Sequence, residues 1–170
     1  QKEKMAYLWK HASLTSVCAS HLYDLVDGLN KGTLFTLGIL HDIGKLIVLG
    51  SPQVQKQESE FWKNYPCGDS ILEEDSLLGV NHAVIGQIIL EQWNFSELMI
   101  NSIGMHHAPS FVNMNDLGLS GEQRNYITIL FLANQVAKLF TGRTTGAVRV
   151  NSLSDSYQKL IDKNRFFSKV

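Results

Sequence analysis

LFTLGILHDIGKLIVLG, residues 34–50, is the most apolar stretch of the chain, and its reading decides the fold. Its length is near the lower end of a membrane span, roughly 17–25 residues. His41, Asp42 and Lys45 stand at its centre, and ionisable groups are costly in lipid. The stretch is therefore read as a buried core helix that carries functional polar groups. Thr33 is the expected cap, with the helix running through Leu49 and stopping at Gly50-Ser51-Pro52.

The pattern on both sides is also helical. Strand-like alternation is scarce, and only three prolines interrupt the chain. Residues 4–27 read as a first helix, with Leu8, Val17, Leu22, Leu25 and Val26 among its apolar positions and Gly28 near its stop. Residues 53–64 read as a polar, exposed helix ending at Pro66. A short helix from Asp69 or Ser70 through Leu78 is expected to end at Gly79. Residues 81–93 form the next, capped by Asn81, and Trp93 is assigned to the core on its amphipathic face. Trp62 and Phe61 fit either core or interface. Ser96 starts a helix that ends near His107, residues 110–121 read as a surface loop, and residues 122–140 as a strong amphipathic helix. A weaker helix is expected over 152–165. No repeat or low-complexity segment appears, so the fold class is all-α, in one domain over residues 1–170.

With 170 residues, 44% of them apolar, the chain needs no disulfide or metal merely to fold. Charged residues make up only 18%, against about 25% in a typical globular domain. That excludes a highly charged disordered chain. It also suggests that apolar surface is covered by something outside this sequence. Fifteen basic residues against sixteen acidic ones exclude a general polyanion binder, and no nucleic-acid partner is expected. Cys18 and Cys67 form no metal-binding pair, which makes a reducing cytoplasm the default location. The chain opens on Gln1 and carries no signal peptide, so it reads as a piece of something longer.

Five of the six histidines fall in an ordered series with carboxylate and lysine company: His11, the pair His41-Asp42, His82, and the pair His106-His107. Neutral imidazole with carboxylate suits Fe, Mn, Zn or Ni, and the lack of thiolate removes the soft metals. Adjacent helical residues point about 100° apart, so His41 and Asp42 would embrace an ion between them, or Asp42 would bridge two. Lys45, four residues after His41, shares its helix face and suits a phosphate on the ions. Ions there would activate water and stabilise an in-line displacement. Each piece also has an ordinary explanation. His21, outside the series, is read as a satisfied core histidine, and Lys45 alone would fit a snorkelling side chain. The conjunction favours a metal site, because a buried Asp42 needs a partner.

The segments WKHA, GILHDIGKLIV, NHAVIGQIILEQW and IGMHHAP, in this order, resemble the HD superfamily of metal-dependent phosphohydrolases, and within it the HDOD branch, the HD-related output domains of bacterial signalling proteins. The resemblance runs from about Trp9 to Phe140. It implies an HD-domain-like helical bundle with a central metal pocket. It further implies that His11, His41 and Asp42 hold one ion and that Asp42, His82, His106 and His107 hold or border a second. Lys45 would then face a phosphate, and Asp42 with Lys45 would form the catalytic pair. Glu74 fits an acidic position common in the family. The expected cofactor is one or two divalent ions, Fe or Mn, with Zn, Ni and Mg compatible.

Two departures accompany the resemblance. Where the superfamily places a final aspartate ligand, this chain has Asn134, in Leu132-Ala133-Asn134. Its amide oxygen either ligates without charge or hydrogen-bonds inside the bundle. The helical half that usually precedes the Trp-His helix in HDOD modules is also missing from this sequence. The Gly-Tyr-Pro signature of the related HD-GYP phosphodiesterases is replaced by Ala108-Pro109-Ser110-Phe111. These features point to a signalling output module that works through other signalling domains or proteins. The nearly complete histidine set keeps open a phosphohydrolase acting on a nucleotide or cyclic dinucleotide. A purely structural bundle is the third reading, disfavoured because clustered imidazoles desolvate one another.

Overall fold

The structure is a computed structural model that describes residues 2–57, 62, 63, 65 and 71–141. The described residues contain helices, short 3-10 turns and connecting loops, and no strand. The helices whose bounds lie within the described residues are α1 (Lys2–Leu22), α2 (Lys31–Leu40), α3 (Gly44–Gly50), α4 (Pro52–Gln55), α5 (Ile71–Leu78), α6 (His82–Gln92), α7 (Glu97–Gly104) and α8 (Gly121–Thr141). The all-α reading holds.

The long helices α1 and α8 pack with α2 to form one side of the bundle, and α6 packs on α3 and α7 to form the other. Helix α1 presents Leu8, His11, Ala12, Thr15, Ser16 and Ala19 inward, a three-and-four spacing that keeps one stripe buried. The main core gathers Ala19, Leu34, Leu37, Leu90, Ile103, Ile129, Leu130 and Ala133. A second cluster joins Leu8, Val48, Leu49, Val54, Trp62 and Tyr65. Gly38 lets α2 lie directly on α1, because a Cβ there would strike the Ser16 backbone.

The apolar stretch Lys31–Gly50 meets the length and composition of a membrane-crossing helix, yet half of it is buried inside the bundle. It is not one helix. Helix α2 closes on the bond from His41 N–H to the Leu37 carbonyl. The chain then tightens into three-residue steps, with Ile43 N–H donating to Leu40 O and Lys45 N–H to Asp42 O. The break follows from packing. Gly44 sits against α6 so closely that a Cβ would fall on the His82 carbonyl oxygen.

Several expectations need correction. Asn30, not Thr33, caps α2: its Oδ1 accepts from Thr33 N–H at 2.9 Å, while its own N–H donates to the Tyr126 hydroxyl at 2.7 Å. Asn81 caps α6 as expected, accepting from the N–H groups of Ala83 and Val84. The first helix ends at Leu22 and is followed by a 3-10 turn, Tyr23–Leu25. Of the helix expected over 53–64, residues 53–55 lie in α4, Trp62 and Lys63 are again helical, and residues 58–61 and 64 lie outside the described residues; Val54 and Trp62 are buried. The loop after α7 contains a 3-10 turn, Met114–Leu117, whose Met114 is buried against Ile127. Trp93 is not core. Helix α6 has ended by that point, and Asn94 turns the backbone to φ 56°, leaving the indole 57% exposed. His21 is exposed rather than core, its Nδ1–H donating to the Val17 carbonyl. The helix start expected at Asp69 or Ser70, Phe61 and the helix expected over 152–165 lie outside the described residues.

Candidate metal centre

Five elements meet at the centre of the bundle. Helix α1 brings His11 and the α2–α3 break brings His41 and Asp42. His82 is the first residue of α6, His106 and His107 lie in the turn after α7, and α8 brings Asn134. None of these seven side chains belongs to a residue more than 5% exposed. The first pair sits in that break, where His41 Nε2 comes within 3.3 Å of Asp42 Oδ2.

Asp42 is the hub. Its Oδ2 lies 2.8 Å from Lys45 Nζ, 3.3 Å from His41 Nε2 and 3.7 Å from His11 Nε2. Its Oδ1 lies 3.2 Å from His82 Nε2 and 3.8 Å from His106 Nε2. Ligand atoms of Asp42, His82, His106 and His107 all lie within 4.8 Å of one another, and so do those of His11, His41 and Asp42. The two groups share only Asp42, and both are fully buried.

Hydrogen bonds behind the rings fix which nitrogen faces the centre. His41 Nδ1 is 2.9 Å from the Gly38 carbonyl and His106 Nδ1 is 2.7 Å from the Ile103 carbonyl. A carbonyl only accepts, so each Nδ1 carries the proton and each Nε2 presents a lone pair. His82 Nδ1 stands 2.8 Å from Glu74 Oε2, with the same consequence for its Nε2. Glu74 is itself locked, accepting from the His82 backbone N–H and from the Tyr65 hydroxyl. A histidine oriented from behind by a carboxylate or carbonyl is the usual arrangement at a metal.

A lone-pair count then tests whether an ion suits these residues. His41 Nε2, His106 Nε2 and Asp42 Oδ1 are buried and have no hydrogen-bond partner in the protein. The His41 and His106 lone pairs face the Asp42 carboxylate from the two donor groups, and such orphaned groups are costly in a core. A cation held within either group beside Asp42 would lower that cost. The donor set fits a metal, and its nitrogen and oxygen atoms fit a borderline or hard ion.

Electrostatics agree. Burial, with the neighbouring His41 ring, lowers His11 to a pKa of about 3. Burial lowers His106 to about 4 and His107 well below its ordinary value. Burial alone would raise the Asp42 carboxyl, but His41 and the Lys45 ammonium outweigh it and hold it well below the usual carboxylate range. His11, His106 and His107 are therefore held neutral beside an ionised Asp42, the protonation states a metal requires.

Asn134 meets His11: its Oδ1 is 3.0 Å from His11 Nε2. Lys45 is turned onto Asp42, one helical step back, and is buried with it. Sequence reading missed Lys138, a second buried lysine near the cluster. Its signal was its register, four residues after Asn134 and hence on the same face of α8. It also missed Tyr65, whose hydroxyl on Glu74 no local pattern announces.

A family model for the HDOD domain matches residues 1–109, which includes His11 through His107 but not Asn134. Among solved structures, the chain is similar to a protein of Shewanella amazonensis SB2B provisionally described as a phosphohydrolase. The identity is 26% and the TM-score 0.61, over 81% of this chain and 48% of that one. It also resembles an HDOD domain protein of unknown function from Geobacter sulfurreducens, at 18% identity and TM-score 0.64, over 92% and 52% of the two chains. The MmoQ response regulator of Methylococcus capsulatus strain Bath matches at 17% identity and TM-score 0.59, over 92% and 61%. The chain thus spans between about half and three fifths of the length of these relatives. No curated protein matches it.

Proposed function

The chain belongs to the HDOD domain family, and on that premise we propose that it is the metal-pocket part of a bacterial signal-transduction output module, acting through contacts with other signalling domains or proteins rather than through hydrolysis. The observation that carries this reading is Asn134. It meets His11 at 3.0 Å, where an aspartate would bring a second negative charge to the cluster. Among the described residues, Asp42 is then the only carboxylate that belongs to both donor groups. His11, His41 and Asp42 would hold one ion, and Asp42, His82, His106 and His107 a second. The all-nitrogen-and-oxygen donor set supports Fe or Mn. When bound, such an ion supplies Lewis acidity toward an oxyanion.

The chain's own residues do the rest. Glu74, Gly38 and Ile103 hold the rings with their lone pairs inward. Lys45 keeps Asp42 ionised. Burial excludes water from the cluster. A location in the cytoplasm is part of the same proposal, and the free thiol of Cys18 accords with it.

Elemental analysis of protein purified without a nickel column is the first test. The expected result is at least one Fe or Mn per chain. Substoichiometric metal, with a melting temperature unmoved by added Mn or Fe, would sink the metal reading. The alternative, a phosphohydrolase or phosphodiesterase acting on a nucleotide or cyclic dinucleotide, draws support from the full histidine set and from Lys45 on Asp42. Turnover of a generic phosphodiester or cyclic dinucleotide that Asp42→Ala abolishes would establish it in place of the signalling role.

A further inference from the structure

The two donor groups share Asp42 but not the same oxygen of it. Oδ2 faces His11 and His41, and the Lys45 ammonium already holds it at 2.8 Å. Oδ1 faces His82 and His106 at 3.2 and 3.8 Å and is buried with no hydrogen-bond partner among the described residues. An ion beside Oδ2 would meet a like charge on the same oxygen, in a dry interior where repulsion is strong. An ion beside Oδ1 would meet a carboxylate oxygen that lacks a partner and is costly without one.

The rings differ in the same sense. His82 and His106 are both held from behind, by Glu74 and by the Ile103 carbonyl, so both Nε2 lone pairs already face the centre. In the other group His41 is held that way, by the Gly38 carbonyl, and His11 is not. His11 Nε2 lies 3.0 Å from Asn134 Oδ1, an oxygen that only accepts, so this nitrogen carries the proton. It is also the nitrogen that approaches Asp42 Oδ2, at 3.7 Å. His11 must therefore change tautomer and give up Asn134 before it can ligate. His107 bears a similar cost, because its Nε2–H donates to the His82 Nε2 lone pair at 3.1 Å. Even so, Asp42 Oδ1, His82 Nε2 and His106 Nε2 stand ready as they are, and the other group offers His41 Nε2 alone. Charge behind the rings agrees. Glu74, which accepts from the His82 N–H and the Tyr65 hydroxyl, sets a carboxylate behind one group, and the neutral Asn134 stands behind the other. Lys138 acts on both His11 and His107 and so separates the groups little.

We propose that the centre takes one ion rather than two: the ion lies among Asp42 Oδ1, His82, His106 and His107, and the Lys45 ammonium serves as a built-in second cation at Asp42 Oδ2. The inference rests on the metal-site reading above and adds to it which donor group fills. The lone pair of His41 leaves the other group a weak seat, and Asn134→Asp acts on that seat.

Mn titrated into the metal-free 170-residue chain tests this, with bound metal counted by equilibrium dialysis and its surroundings read by electron paramagnetic resonance. The expected result is one tight Mn per chain, with the spectrum of an isolated ion, and a second at least about a hundredfold weaker, a modest share of the repulsion between neighbouring buried cations. His106→Gln should weaken the tight ion at least about tenfold more than His11→Gln does. Lys45→Met, which keeps the stem and removes the charge, should strengthen the second ion at least about tenfold, and Lys45→Arg should not. Melting temperatures of the metal-free variants show which are folded; where Lys45→Met is not, the two affinities of the parent and the histidine pair still decide. Two ions of equal affinity in the parent overturn the proposal. So does a tight ion that depends on His11 more than on His106, or a second ion indifferent to Lys45→Met. No tight Mn at all overturns the metal reading beneath it.

Discussion

His11 Nε2 and Asn134 Oδ1 lie 3.0 Å apart, a contact between α1 and α8 across 123 positions of sequence. It joins the first and last contributors to the metal centre. It is also the one place where the cluster presents a neutral oxygen to a ring that Asp42 reaches only at 3.7 Å.

Asn134→Asp should therefore tighten metal binding. A charged oxygen in place of an amide adds about 1.5–3 kcal/mol to a hydrogen-bonded or ligating contact, which corresponds to roughly tenfold or more in affinity. Competition of Mn against a chelator of known strength measures this. An affinity equal to that of the parent would mean that Asn134 serves only the bundle.

Glu74 acts through His82. Glu74→Gln keeps the volume but removes the carboxylate that fixes the His82 tautomer, and roughly a 10- to 100-fold loss of metal affinity is expected. The loss should exceed that caused by Glu73→Gln, an exposed neighbour on the same helix. Equal effects from the two would remove Glu74 from the site.

Gly44 tests the break between α2 and α3. A methyl group there collides with the His82 carbonyl, so α3 and α6 must separate. Gly44→Ala should cost about 1–3 kcal/mol of stability, the range for overpacking, and displace two ligand-bearing elements together. Urea unfolding reads the first effect and metal titration the second. A variant of parental stability would show that the close approach is dispensable.

The buried histidines set a pH dependence. His11, near 3, and His106, near 4, stay neutral in the fold, while in the unfolded chain each takes up a proton near 6.5. The unfolded state binds more protons across that interval, so stability is fully present above about 6.5 and falls as the pH drops toward 4. His107 shifts in the same direction and adds to the slope. Urea midpoints of metal-free protein at pH 8, 6.5, 5.5 and 4.5 should decline in that order. A flat profile would mean that these rings are not held neutral.

Much of this centre was legible in the chain because its ligands travel in local motifs. His41-Asp42 and His106-His107 are adjacent in sequence, and Asn81 announces the start of the helix that carries His82. What escaped was set by distant contacts. The apolar pattern of residues 34–50 runs straight through the break, and only the nearness of the His82 carbonyl at Gly44 reveals it. Trp93 looked internal because its helical period fits the core face. The helix ends one residue earlier, and a left-handed Asn94 releases it. Lys138 reads as an ordinary helix lysine until α8 is packed on α1.

The turn at 41–43 also bears on how this chain can change over time. One residue inserted or deleted within α2 would rotate everything beyond it by about 100° and carry His41 and Asp42 off the focus together. Past His107 the connection to α8 carries none of these ligands; it is held by the buried Pro109 and Met114 and by Leu117 and Leu119 packed beside them, so a change of length in its exposed part would leave the centre in place. Among related chains, the spacing from Gly38 to Gly44 should thus be the least negotiable length in the molecule, while their sequences diverge around it.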